Sequence, residues 1–128
     1  LSEIRAKTVV LFVDACFSAG MVDHSTQIRG LETYLGSGKD YVIISSSQAD
    51  QTSIESNKLK HGLFSYYLIR GLGGEADYNQ DGWVDIEELW PFVKNQVSLT
   101  AKRMGEEQDP RRSGSSGRSI FLSKNPNL

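Results

Sequence analysis

Val9-Val10-Leu11-Phe12-Val13-Asp14-Ala15-Cys16-Phe17-Ser18-Ala19-Gly20 is the stretch whose reading decides the fold. Its first five residues are apolar and mostly β-branched, which reads as a strand buried on both faces. The apolar run stops at Asp14. A carboxylate, the only cysteine of the chain (Cys16) and small turn residues follow at once. In an open parallel α/β sheet, ligands and chemistry gather beyond the carboxyl ends of the strands. Cys16 therefore stands where such a sheet keeps its reactive groups. A lone cysteine is otherwise a small, inert core residue, so its flanks decide between the two readings.

Working outward, residues 41–46 carry a second run, Tyr-Val-Ile-Ile, apolar throughout as a central parallel strand requires. The polar stretch that ends it, Ser45-Ser46-Ser47-Gln48-Ala49-Asp50-Gln51-Thr52-Ser53, would lie on the same rim as Cys16. Between the two strands Ile28, Leu31, Tyr34 and Leu35 fall at helical spacing, interrupted by Gly30. This reads as a loop over the site followed by a short amphipathic segment. Gly36-Ser37-Gly38-Lys39 has the look of a phosphate-binding loop, but Thr33 stands where that motif needs Gly and Asp40 where it needs Ser or Thr. It is read as a turn before a strand.

Downstream, Leu63, Phe64, Tyr67, Leu68 and Leu72 share one face of a helix over residues 61–72, and Gly71, Gly73 and Gly74 are expected to end it. Ile86, Leu89, Trp90, Val93 and Val97 define a second amphipathic helix reaching about residue 102. Pro91 fits it cheaply only if the helix proper starts near that residue. Residues 105–117 are rich in Gly, Ser and Arg and predict a mobile loop. Residues 119–122 read as the last strand, and residues 123–128 as a tail.

Asp77-Tyr78-Asn79-Gln80-Asp81-Gly82-Trp83-Val84-Asp85-Ile86-Glu87-Glu88 matches the calcium-loop pattern D-x-[DN]-x-[DN]-G-x5-E at every required position. The ligands for Ca2+ would be the side chains of Asp77, Asn79, Asp81, Asp85 and Glu88, with the Trp83 carbonyl, and Gly82 would supply the sharp turn. The glycines at 71, 73 and 74 argue against a helix leading directly into the loop. The competing reading is a solvated turn whose Asp85 caps the helix that follows.

Composition narrows the function classes. At 128 residues the chain is one domain at most. A net charge of −2 points to neither nucleic acid nor an anionic membrane as a partner. A single cysteine excludes an internal disulfide framework and fits a reducing, cytoplasmic setting. No apolar run approaches the roughly 20 residues that cross a bilayer, and the first residues lack a signal-peptide core. The chain opens on Leu1, not on an initiator methionine, which suggests a fragment or a processed chain.

Three blocks carry a family resemblance. Asp14-Ala15-Cys16-Phe17-Ser18-Ala19-Gly20 at the end of a Val-rich strand resembles the catalytic-cysteine motif of caspase-like peptidases, nearest to metacaspases and their bacterial relatives. Caspases themselves carry Gln where this chain has Asp14. Residues 41–55 resemble the next metacaspase strand and loop, and His61-Gly62-Leu63-Phe64-Ser65 the opening of the following helix. Gln108-Asp109-Pro110 is similar to the Gln-x-Pro segment before the last strand. The resemblance implies an α/β fold, a caspase-like three-layer α/β/α sandwich with a mostly parallel sheet. Residues 1–122 would be the C-terminal part of that peptidase domain.

It also implies a cysteine endopeptidase with a Cys-His dyad and Cys16 as nucleophile. The catalytic His of such peptidases lies upstream of the Cys, usually in a His-Gly pair. His61-Gly62 mimics the pair but opens a helix and is read as structural; His24 is read as a solvated loop residue. The His would then come from an upstream segment. Asp14 corresponds to the residue that lines the S1 pocket and favours Arg or Lys at P1. Ser45, Ser46 and Asp50 would border the substrate. An acidic P1 would be repelled. The competing reading of Asp14 is a strand-end residue bonded to nearby backbone N–H groups. Metacaspases are often calcium-activated through carboxylates near the Cys loop, and Asp23 and Asp50 could belong to such a site, though Ala49 replaces one expected Asp. The partner is a protein or peptide substrate. The other classes are an inactive caspase-like scaffold and a calcium-binding interaction module; a serine hydrolase is disfavoured, because no G-x-S-x-G elbow is present.

Overall fold

A computed structural model describes residues 8–14, 29, 30, 32, 33, 40–46 and 62–128. The Val-rich run forms strand β1, Thr8–Val13, and the Tyr-Val-Ile-Ile run forms β2, Asp40–Ser45. They pair in parallel, from Thr8 opposite Asp40 to Val13 opposite Ser45. Helix α1 is Leu63–Arg70, β3 is Trp83–Asp85, and α2 is Ile86–Arg103. Strand β4 is Arg111–Ser113 and β5 is Phe121–Lys124. The main sheet has the order β1-β2-β4, with β4 antiparallel to β2; β3 and β5 form a separate antiparallel pair.

Alternation along β1 and β2 sorts the side chains between two cores. Val10, Phe12, Val42 and Ile44 pack with Leu63 and Phe64 of α1 and with Leu89, Val93 and Val97 of α2. Val9 and Ile43 pack on the opposite face with Leu11, Val13 and Tyr41. There the Tyr41 hydroxyl donates to Glu32 Oε2 at 3.3 Å, and residues 29, 30, 32 and 33 are helical. Apolar side chains on both faces are what an interior sheet strand requires. The arrangement is an α/β fold.

Three features depart from the sequence reading. Gly71 does not end the helix. The chain continues through a wider turn, Gly71–Glu75, in which the Ala76 N–H reaches the Gly71 carbonyl at 3.4 Å, and the helical path breaks at Gly74, φ +122°, one of the glycines expected to end it. The wide turn aligns residues five apart, and Arg70 Nη2 donates to Glu75 Oε1 at 2.7 Å. A Cβ on Gly71 would come within 2.7 Å of Leu89 Cδ1 and 2.9 Å of Phe92 Cδ1, so the glycine is there because α1 and α2 touch. The second helix starts at Ile86, where its apolar pattern begins, so Pro91 falls in its early turns as expected. Asp85 Oδ1 accepts the Glu88 N–H at 2.9 Å, and Glu88 Oε1 accepts the Asp85 N–H at 3.2 Å. This reciprocal cap satisfies two otherwise orphaned donors and fixes the start at Ile86, as the reading of Asp85 as a cap requires.

The stretch read as a loop over residues 105–117 contains β4. Its residues pair with the buried end of β2, Ser45 opposite Arg111, and Arg112 joins Glu87 of α2 through two hydrogen bonds of 3.0 and 2.8 Å. Tertiary pairing thus organises a segment of low intrinsic strand propensity. The expected tail is also structural in part. Ser123 and Lys124 belong to β5, and the Asn125 N–H donates to the Gly82 carbonyl at 2.8 Å. No helix of the described residues is long and apolar enough to cross a membrane.

Candidate functional site

The parallel register puts the carboxyl ends of β1 and β2 side by side. Val13 stands opposite Ser45, and the Ser46 N–H donates to the Val13 carbonyl at 2.9 Å. Asp14 follows on the rim and is exposed. Its Oδ2 accepts the Ser65 hydroxyl at 2.6 Å, from the first turn of α1. A side chain 51 residues away thus orients Asp14, and the backbone N–H groups that follow it lie outside the described residues.

Ser45 and Ser46 reach the same rim but are 2% and 0% exposed. The Ser45 hydroxyl lies 3.4 Å from the Arg111 carbonyl, its acceptor, and the Ser46 carbonyl accepts Gln108 Nε2 at 2.8 Å. Gln108 is itself buried, so its amide fastens the segment before β4 beneath the rim. The two serines, expected to border the substrate, are thus found tying β2 to its neighbours. Cys16 and Asp50, with Asp23, His24, Ala49 and His61, lie outside the described residues.

The loop of residues 77–88 is the second constellation. Gly82 has φ +88°, a conformation open to glycine, and Gln80 has φ +55°. Gly82 N–H and Asn125 Nδ2 donate to Asp77 Oδ2 at 3.0 and 3.1 Å. The Trp83 N–H donates to Asp81 Oδ1 at 2.9 Å, and the Asp81 N–H to Asn79 Oδ1 at 3.2 Å. The Asn79 N–H lies 3.4 Å from Glu88 Oε2, its acceptor. Asp77, Asp81 and Glu88 each bring one carboxylate oxygen to within 4.8 Å of the other two. Asp85 is engaged as the cap of α2, and the Trp83 indole stands 5.9 Å from the Phe121 ring, centroid to centroid. Burial raises the pKa of Asp77, but hydrogen bonds, those from Asn125 and the Gly82 N–H foremost, outweigh it and hold the carboxyl below its ordinary value.

Three contributors were missed by sequence reasoning. Ser65 and Gln108 lay within quoted motifs, but nothing local says what they bond. Asn125 lay in the presumed tail and carried no signal at all.

The fold and rim define a class: an α/β domain whose polar groups collect beyond the carboxyl ends of a parallel strand pair. The family model described as the caspase domain, Peptidase C14, matches residues 1–121. The chain belongs to that caspase-domain family of cysteine peptidases. No curated protein and no solved structure matches it.

Proposed function

We propose that the domain is the catalytic-cysteine part of an endopeptidase that cleaves protein or peptide chains after Arg or Lys. The observation that carries this reading is the parallel register of β1 and β2. It sets an exposed Asp14, held by Ser65, on the sheet rim two residues before Cys16. The Cys16 thiolate attacks the carbonyl carbon of the P1 residue. Backbone N–H groups of the turn after β1 take up the developing oxyanion. A histidine from an upstream segment protonates the leaving amine, and water then hydrolyses the thioester. Asp14 attracts a P1 guanidinium or ammonium group and repels a carboxylate. Asp50 adds a second negative charge on the substrate side.

The test is covalent labelling of the protein, upstream segment included, by a peptidyl-Arg chloromethyl ketone, read by intact mass. A peptidyl-Asp analogue and Cys16→Ala serve as controls. Selective labelling of Cys16 by the Arg probe is expected. Labelling by the Asp probe alone keeps the peptidase and overturns the role of Asp14. Failure of both probes on folded protein makes the domain a noncatalytic scaffold.

A further inference from the structure

We propose that residues 77–88 bind one calcium ion through Asp77, Asn79, Asp81, the Trp83 carbonyl and Glu88, while Asp85 serves as the cap of α2 and not as a direct ligand. The inference is independent of the peptidase reading.

A cluster of acidic residues is common on protein surfaces and is not by itself a site. Here a second observation points to a ligand. Asp77 is only 6% exposed, and its Oδ1 is buried with no hydrogen-bond donor. Its other oxygen already accepts two donors. A buried, unpartnered carboxylate oxygen is among the costliest groups a fold can hold, and proteins satisfy it with a donor or a metal. Asp81 and Glu88 each bring a carboxylate oxygen to within 4.8 Å of one from Asp77. Among the described residues none of the three is paired with a lysine or arginine; the ion pairs of Arg70 and Arg112 use Glu75 and Glu87. Three mutually close negative charges repel one another, and a divalent cation removes that repulsion.

The frame fits calcium. The ligand types are oxygens only, from carboxylates, an amide and a carbonyl, which suits a hard cation of high coordination number. The chain reaches the loop through a kinked turn that breaks at Gly74, φ +122°, and leaves it directly into α2. Glu88 stands at the third position of α2, where its backbone is fixed by the cap. Asn125 anchors Asp77 from the chain segment after β5. An ion in this loop would therefore join the end of α1, the start of α2 and the C-terminal strand pair.

The experiment uses Cys16→Ala protein stripped with EDTA, so that no readout depends on peptidase activity. Calcium chloride is titrated in by calorimetry, and terbium luminescence is excited through Trp83. One equivalent of calcium is expected, with a melting-temperature rise of about 5–10 °C at saturation. Glu88→Gln retains a residue the capping box accepts but removes a ligand charge. It and Asp77→Asn should each weaken binding by about tenfold or more. Asp85→Asn keeps the cap and should change affinity by less than about threefold. No binding heat and no thermal shift in folded protein overturns the site. Parent-like binding in both Glu88→Gln and Asp77→Asn places the ion elsewhere and also overturns it. A tenfold loss in Asp85→Asn overturns the assignment of Asp85 as cap alone. Equal affinity for magnesium overturns the choice of calcium.

Discussion

Replacing Asp85 separates helix capping from every other role of the 77–88 loop. In Asp85→Ala the acceptor of the Glu88 N–H, now 2.9 Å away, disappears, while the Asp85 N–H to Glu88 Oε1 bond survives because it uses the backbone. Loss of a side-chain N-cap costs about 1 kcal/mol. Loss of a negative charge at the amino end of α2 adds about 0.5 kcal/mol through the helix dipole. The total is about 1.5 kcal/mol. Asp85→Asn keeps the acceptor and loses only the charge, so it should cost about 0.5 kcal/mol. With an unfolding entropy of about 2.1 cal/mol/K per residue over 128 residues, these become drops in melting temperature of about 6 and 2 °C. Urea unfolding followed by tryptophan fluorescence and far-UV circular dichroism, in EDTA to keep cations off the loop, measures both. Equal costs for the Asn and Ala variants, or an Ala cost below about 0.3 kcal/mol, would refute the capping argument.

Other consequences are equally direct. Ser65→Ala removes the hydroxyl that holds Asp14 Oδ2 at 2.6 Å. Labelling by the Arg probe should slow by about three- to fivefold, the equivalent of about 1 kcal/mol for an exposed charge-assisted bond; an unchanged rate would show that Asp14 needs no support. Gly71→Ala in an ordinary helix stabilises by up to about 1 kcal/mol. Here the new Cβ meets Leu89 and the stiff Phe92 ring, so the sign reverses to a loss of about 1–3 kcal/mol in a urea melt. A stabilised variant would mean that α1 and α2 are less tightly apposed. Hydrogen bonds from Arg112 hold the Glu87 pKa below its ordinary value, against an opposing effect of burial. A depressed folded-state pKa contributes stability above the unfolded value of about 4.3 and loses it as pH falls through the folded one. The urea midpoints of wild type and Glu87→Gln should therefore differ slightly at pH 7 and converge below about pH 4. A gap that persists in acid would assign it to something other than the ion pair.

The local code of this chain was legible where the period of apolar residues was strong. The runs at residues 8–13 and 41–45 became paired parallel strands, because continuous apolar side chains suit only a strand covered on both faces. The faces of α1 and α2 followed from residues such as Leu63, Phe64, Leu89 and Val93 recurring at helical spacing. The 77–88 pattern likewise announced a tight turn at Gly82, which takes φ +88°.

Tertiary structure alone decided the rest, and for one physical reason: the partner of each group was far along the chain. Gly71, read as a helix end, turned out to mark a helix contact, because Leu89 and Phe92 meet the chain there. A Gly/Ser/Arg-rich stretch became β4 because β2 offered an unpaired edge. Ser45 and Ser46 are buried by what packs over the end of β2, and Ser65 reached across 51 residues to orient Asp14. Asn125 reached across 48 to hold Asp77 and leave one of its oxygens without a donor. Periodicity and motif spacing report what a residue can do; which group it meets depends on packing between segments that no local window contains.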